Sequence, residues 1–195
     1  RTATLTHLQF ISGKHAAEAL KHIEVDSFNP EARTAILWTQ QRLNSINLAF
    51  LQSLPERIEM ELITLVHGSP RQPVWEYLLD TRTATLNFDF FDTLYCFVGH
   101  THLPVMYYLP DDTVYARLVV PENETQLTLA PRAILNPGSV GQPRDRDPRA
   151  AYAIVDMDQN TWECHRVAYD IVSVQARMER ANLPERHIQR LTAGW

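Results

Sequence analysis

The sequence predicts an α/β (α+β) fold in which two packed mixed β-sheets are flanked by helices. Helical patterns come first, a long run of strand patterns fills the middle, and helical patterns close the chain. Two strand patterns, residues 62–66 and 94–98, are continuously apolar, which is typical of strands buried on both faces. A helix-covered sheet packed on a second sheet fits this order best.

The early elements are justified by capping residues and apolar spacing. A short strand is predicted over 8–11 and a short helix over 16–21. Asn29 is a candidate N-cap, with Pro30 in the first turn of a helix whose apolar residues recur about every 3.6 positions. Asn44 and Ser45 interrupt that pattern, and a further helix stops at Pro55.

The later elements follow from alternating and continuous apolar runs. Residues 57–66 predict a hairpin that leads into the first buried strand. Helical residues are expected at 75–79 and 88–91. Further strands are predicted at 105–109, 114–120, 126–129, 133–135, 151–155 and 161–167, and closing helices at 171–180 and 185–191.

Composition limits the class of protein. The 195 residues suit a single domain, 1–195, with a helical extension at 170–195. The net charge of −5 argues against a nonspecific nucleic-acid surface, and no apolar run approaches the ~20 residues that span a membrane. Cys96 and Cys164 lie in strand patterns, so we expect reduced core thiols and a cytoplasmic location.

Histidines follow both buried strand patterns. His67 comes directly after the first, and His100 and His102 come just after the second. Ligand sites form at the carboxyl ends of such strands, and residues i and i+2 of an extended chain share a face. The three imidazoles therefore predict a metal site for one ion, or for two ions ~3.5–4 Å apart. The alternative interpretation is a set of polar loop histidines.

A tight loop follows the strand predicted at 133–135. Loops of this kind expose backbone N–H groups to anions, and its arginines can add phosphate contacts. Alternatively, the arginines pair with Asp145 and Asp147. The candidate phosphate-binding residues are Asn136, Gly138, Ser139 and Arg144.

The remaining histidines carry less information. His15 follows Gly13-Lys14 and by itself is an ordinary surface histidine. The histidines without any supporting context, to which we assign no role, are His7, His22, His165 and His187.

Three blocks taken in chain order resemble the calcineurin-like metallophosphoesterases, most closely their small bacterial and archaeal phosphodiesterase-type members. The blocks are residues 67–70 (HGSP), 99–102 (GHTH) and 136–144 (NPGSVGQPR). The resemblance implies a binuclear metal site at the strand ends, with His67 and His100 on one metal and His102 on the other. Mn, Fe, Ni and Zn are all compatible with such ligands.

The resemblance also implies two departures. The family's Gly-Asn-His-Asp block is matched by Gly13-Lys14-His15-Ala16. His15 can take the family role of protonating the leaving group, whereas Lys14 cannot replace a metal-binding asparagine because an ammonium has no lone pair. Ala16 lacks the carboxylate that would orient His15.

The second departure lies upstream. Nothing before Gly13 matches the family's Asp-x-His and Gly-Asp blocks, and the 12 residues there are fewer than the roughly 30 of a strand–helix–strand unit. We therefore expect the domain to lack that segment at its N-terminus. Such a loss would expose a sheet edge and favour a homo-oligomer.

The function implied by the resemblance is metal-dependent hydrolysis of phosphomono- or phosphodiesters. The expected partner is a small-molecule phosphoester substrate, with divalent metal ions as cofactor and neither membrane nor nucleic acid. The alternative is a catalytically degenerate relic that acts as a binding or scaffold module. Lys14 and Ala16 favour this alternative.

Overall fold

The structure is a computed structural model that describes residues 8–20 and 28–195. It confirms the predicted fold class, because two β-sheets are flanked by helices. The helices are α1 (Lys14–Ala19), α2 (Pro30–Arg42), α3 (Ser45–Ser53), α4 (Thr81–Asn87), α5 (Ile171–Arg180) and α6 (Glu185–Ala193). The strands are β1 (Arg57–Met60), β2 (Ile63–Val66), β3 (Tyr95–Phe97), β4 (Pro104–Tyr108), β5 (Arg117–Val119), β6 (Gln126–Thr128), β7 (Ala133–Pro137), β8 (Ala150–Asp156) and β9 (Thr161–Val167).

The larger sheet is mixed and has the strand order β1-β2-β3-β7-β4-β5. At its centre β2, β3 and β7 run parallel, with Leu65 opposite Phe97 and Phe97 opposite Leu135. β1 and β4 pair antiparallel to β2 and β7. The carboxyl ends of the three parallel strands therefore meet at one edge, where the predicted site residues follow.

The smaller sheet, β6-β9-β8, is antiparallel and packs on the larger one. Side chains of the central strands alternate between the two faces of the sheet, so the core has two layers. Cys96 and Ile134 face the layer under α4, whereas Tyr95 and Leu135 face the second sheet, where Trp162 is fully buried. The two cysteines are buried and free, as predicted.

Capping side chains explain where helices α2 and α3 begin. The Asn29 side chain accepts a hydrogen bond from the Ala32 amide at 2.9 Å, with Pro30 at the first helical position. Asn44 caps α3 in the same way, through the Asn47 amide at 2.8 Å. α2 therefore begins where the sequence predicts, and the Asn44-Ser45 interruption of the pattern becomes the start of α3.

Two predicted elements are wrong. Residues 8–11 form no strand; the chain there is anchored instead by the Ser12 amide, which donates to the Pro55 carbonyl at 2.8 Å. Residues 75–79 are a turn and irregular chain rather than a helix, and they carry Tyr77 to the strand ends. Among residues 8–20 and 28–195, no helix has the length and apolar character needed to cross a bilayer.

Candidate metal and phosphate site

The edge formed by β2, β3 and β7 opens into a cavity of about 430 Å³. The loops after β2 and β3 are joined there, because the Gly99 amide donates to the His67 carbonyl at 2.8 Å. The predicted site residues that line the cavity are His15, His67, His100, His102 and Arg144. Parallel strand pairing therefore gathers side chains that are far apart in sequence.

His67 and His100 are in direct contact. Nε2 of His67 lies 3.0 Å from Nδ1 of His100, and the ring centroids are 4.8 Å apart. Tyr77 stacks on the other side of His100, with a centroid distance of 3.7 Å. His100 is 5% exposed, so its ring is fixed between two aromatic neighbours.

His102 is oriented by the backbone of the Gly-rich loop. Its Nδ1 donates to the Gln142 carbonyl oxygen at 2.6 Å, because that oxygen can only accept. The proton is thereby placed on Nδ1, and Nε2 keeps its lone pair. Gln142 is held in turn by the Ser139 hydroxyl, which accepts from the Gln142 amide at 3.0 Å.

The segment from Gly99 to His102 is not extended, which corrects the geometry that the sequence suggested. His100 and His102 have φ angles of 61° and 62°, and the Thr101 amide donates to the Gly99 carbonyl at 2.6 Å. Both imidazoles still reach the cavity. Left-handed backbone at non-glycine residues is uncommon and clusters at functional sites.

Asn136 holds this turn in place from behind. Its Nδ2 donates to the Gly99 carbonyl at 2.7 Å and to the Thr101 hydroxyl at 2.8 Å, while its Oδ1 accepts from the Gly138 amide at 2.9 Å. The residue is 1% exposed. Asn136, Gly138 and Ser139 lie behind the cavity rather than lining it. Their predicted contact with phosphate stays a prediction.

Burial keeps the three imidazoles neutral. The pKa of His67 is lowered to about 4 by burial and by the nearby His15, His102 and Lys14. Burial also lowers the pKa of His100 to about 3 and, together with Arg144, that of His102 to about 4. At neutral pH all three rings therefore carry a lone pair that a metal can use.

His15 has a carboxylate partner that the sequence did not predict. Nδ1 of His15 lies 2.9 Å from Glu18 Oε2, one helical turn along α1. Glu18 is 2% exposed, whereas His15 is exposed to the cavity. We expected His15 to lack an orienting carboxylate because of Ala16, and that expectation is wrong.

Gly13 permits a close approach between α1 and the site. A Cβ built on Gly13 would lie 2.9 Å from Nδ1 of His67. Any other residue would push α1 and His67 apart. The glycine thereby keeps the His15 end of the cavity next to the imidazole pair.

The sequence left open whether the loop arginines contact phosphate or pair with aspartates, and the structure shows one arginine in the cavity and another paired with an aspartate. Arg149 donates to Asp147 at 2.6 Å, and Arg166 of β9 pairs with Asp145. Arg144 instead lines the cavity and donates to the Gln142 side-chain oxygen at 2.8 Å. The aspartates are thus occupied by other arginines, and Arg144 faces the site.

Several cavity residues were missed or dismissed. His187, to which the sequence assigned no role, lines the cavity, while His165 lies on β9 against Tyr152. His7 and His22 lie outside the described residues. No local pattern marked the missed cavity residues, which include Glu18, Tyr77, Arg186 and Arg190.

The donor set fits a borderline divalent ion such as zinc. Two ligand atoms ~2.0–2.1 Å from Zn²⁺ at a tetrahedral angle lie roughly 3.3 Å apart, close to the 3.0 Å between His67 Nε2 and His100 Nδ1. His100 Nε2 is buried, and the ring also interacts with the Trp75 backbone. Within that part of the chain, no three His, Cys, Asp or Glu side chains converge on one point. The pair is therefore in place, and His102, whose ring is oriented by the Gln142 carbonyl, lines the same cavity.

Known proteins show the same fold. No family model matches the chain. It is 34% identical over 189 residues to the uncharacterized protein MJ0912 of Methanocaldococcus jannaschii, covering 94% of this chain and 74% of that protein. A metallophosphoesterase from Sphaerobacter thermophilus superposes with a TM-score of 0.84 at 44% identity, covering 95% of this chain and 76% of that one.

A more distant structure agrees in fold alone. Hypothetical protein PH1004 from Pyrococcus horikoshii OT3 superposes with a TM-score of 0.75 at 19% identity, covering 98% of this chain and 75% of that one. Together with the 44% identical relative, the two-sheet fold with histidines at the strand ends defines the class. The chain belongs to the metallophosphoesterase family.

Proposed function

We propose that the chain is a metal-dependent phosphoesterase that acts on phosphomonoesters or phosphodiesters. The observation that carries this proposal is that His67, His100 and His102 line one cavity together with His15 and Arg144. These residues supply metal ligands, a candidate acid and a cation for the phosphoryl group. The described donors suit one ion, and the binuclear centre implied by the resemblance stays a prediction.

The cavity residues have different roles in the proposed hydrolysis of a phosphoester. A divalent ion held by His67 and His100, with His102 as a further candidate ligand, would polarise the phosphoryl group and lower the pKa of an attacking water. Arg144 lies where its guanidinium can neutralise charge that develops on the phosphoryl oxygens. His15 gives its proton to the leaving oxygen, and the Glu18 carboxylate, 2.9 Å from His15 Nδ1, holds the ring in place.

A noncatalytic binding module remains the second candidate, because Lys14 places a positive charge beside the imidazoles. Its Nζ lies 3.5 Å from the Tyr77 hydroxyl and 3.9 Å from Glu18, and its charge lowers the pKa of both His67 and His100. The same charge opposes a metal cation. A weakened metal site would leave an anion-binding cavity without turnover.

Hydrolysis of bis-p-nitrophenyl phosphate by the 195-residue chain tests the proposal. We expect turnover with Mn²⁺, none in EDTA, and loss of turnover in His100→Ala. His165→Gln is the matched control, since His165 lies on β9 outside the cavity. Absence of metal-dependent turnover in a chain folded by circular dichroism would favour the binding module.

The role of His15 and Glu18 has its own test. Glu18→Gln keeps the shape of the side chain but removes the carboxylate that contacts His15 Nδ1. We expect kcat to fall about 10- to 100-fold with unchanged metal affinity, as in His15→Gln. Equal kcat in wild type and Glu18→Gln would exclude the pair from the reaction.

A further inference from the structure

Helix α6 brings a second arginine into the cavity. Its C-terminal end docks on the Gly-rich loop, where the Arg146 amide donates to the Gly194 carbonyl at 2.8 Å. Gly194 adopts φ +67°, and a Cβ there would lie 2.8 Å from the Asp147 backbone. This close docking places Arg190, one turn earlier on α6, in the cavity that Arg144 also lines.

Arg144 and Arg190 line the same cavity, and each guanidinium carries a positive charge at neutral pH. Repulsion from Arg190 helps to lower the pKa of Arg144, after burial, and both guanidiniums lower that of His102. Folding therefore holds two positive charges together at the His102 end of the cavity. Such an arrangement is unfavourable unless an anion neutralises it.

The described residues do not supply that anion. Over residues 8–20 and 28–195, neither Arg144 nor Arg190 forms an ion pair with a carboxylate, and Arg190 Nε is buried without a hydrogen-bond partner. The Arg190 guanidinium lies 5.9 Å from the centroid of the Trp195 ring. Its neighbour Arg186, in contrast, pairs with Glu31 at 3.5 Å.

We propose that Arg190 forms a second anion subsite beside Arg144, the cation for the reacting phosphoryl group, so that the substrate carries a second phosphate besides the one that reacts. This inference rests on the proposed function and specifies its substrate class, an organic diphosphate or bisphosphate. Guanidinium groups bind phosphate through paired hydrogen bonds. Apolar side chains also line the cavity and suit the organic part; they include Phe28, Ile36 and Met178.

Calorimetric titration in EDTA isolates the subsite from any metal. The probes are methylenebisphosphonate, which resists hydrolysis and carries two phosphoryl groups, and inorganic phosphate. We expect the full chain to bind the bisphosphonate about 10- to 100-fold more tightly than phosphate. Arg190→Gln is expected to abolish this preference, and Arg190→Lys to keep part of it.

Arg180→Gln is the matched control, because Arg180 ends α5, is exposed and does not line the cavity. It should keep the full preference for the bisphosphonate. Equal affinities for the two probes in the wild-type chain would overturn the proposal. So would a preference that survives both Arg190→Gln and Arg144→Gln.

The experiments distinguish a failure of the proposed phosphoesterase function from a failure of the proposed anion subsite. Bis-p-nitrophenyl phosphate carries a single phosphate and does not need the subsite. If the chain shows no metal-dependent hydrolysis but prefers the bisphosphonate in a way that depends on Arg190, the subsite proposal holds and the phosphoesterase proposal fails. If metal-dependent hydrolysis is present but Arg190→Gln leaves the preference for the bisphosphonate unchanged, the phosphoesterase proposal holds and the subsite proposal fails.

Discussion

Nε2 of His67 lies 3.0 Å from Nδ1 of His100, although 32 residues separate them in sequence. Their loops are also joined through the backbone, by the Gly99 amide and the His67 carbonyl. Between two neutral imidazoles one nitrogen must donate and the other accept. A divalent ion would let both present lone pairs, and it is the chemistry that best uses two buried, neutral rings.

Asn136 should be a positioning residue for the turn that presents His100. Asn136→Asp keeps the Oδ1 acceptor but removes the donor to the Gly99 carbonyl and the Thr101 hydroxyl. Two buried acceptors then lose their partner, and we expect the free energy of unfolding to fall by about 1–3 kcal/mol. Urea unfolding measures this change. Gln52→Glu, the same chemical change on an exposed residue of α3, should stay within about 0.5 kcal/mol of wild type.

Lys14 should weaken metal binding through its charge. Lys14→Met removes the charge that acts on His67 and His100, and Lys14→Asn also adds an oxygen donor. We expect Lys14→Met to tighten Zn²⁺ binding about tenfold and Lys14→Asn to tighten it further. Competition with a colorimetric chelator measures both affinities. Unchanged Zn²⁺ affinity in both variants would show that the ammonium does not oppose the ion.

Acid should destabilise the metal-free chain in the range where histidine titrates. The unfolded chain takes up protons on its imidazoles below pH 6.5, whereas folded His67, His100 and His102 stay neutral down to about 4, 3 and 4. The unfolded state then binds more protons, so stability is complete above pH 6.5 and falls as the pH drops towards 4.

Thermal unfolding in EDTA at about pH 7.5, 6.5 and 5.5 measures this effect, since carboxylates hardly titrate there. We expect the midpoint to decrease across the series and the decrease to be smaller in His100→Asn. A midpoint that is independent of pH over this range would mean that the three rings are protonated as readily when folded as when unfolded.

Periodicity and capping predicted most of the fold because they act locally. Asn29 and Pro30 define the start of α2, and the apolar runs before His67 and His100 become β2 and β3. Local rules failed where tertiary contacts decide. Residues 8–11 have an apolar pattern without strand pairing, and Tyr77 is drawn out of a helical pattern by stacking on His100.

The sequence predicted those site residues that directly follow a strand. The histidines after β2 and β3 could be placed together because parallel strands end at one edge. Glu18 and Arg190 could not, since each reaches the cavity through helix docking that leaves no local pattern. The hydrogen bonds by which Asn136 holds the His100 turn could not be predicted either, and its predicted contact with phosphate stays a prediction.

Titration of the chain with Co²⁺, followed by its visible absorption, tests most directly whether the strand ends build a metal centre. We predict saturable binding in the wild-type chain, weakened at least about tenfold in His67→Ala, His100→Ala and His102→Ala. His165→Gln should bind as wild type does. Absence of Co²⁺ absorption in the folded wild-type chain, or affinities unaffected by the three substitutions, would contradict the account.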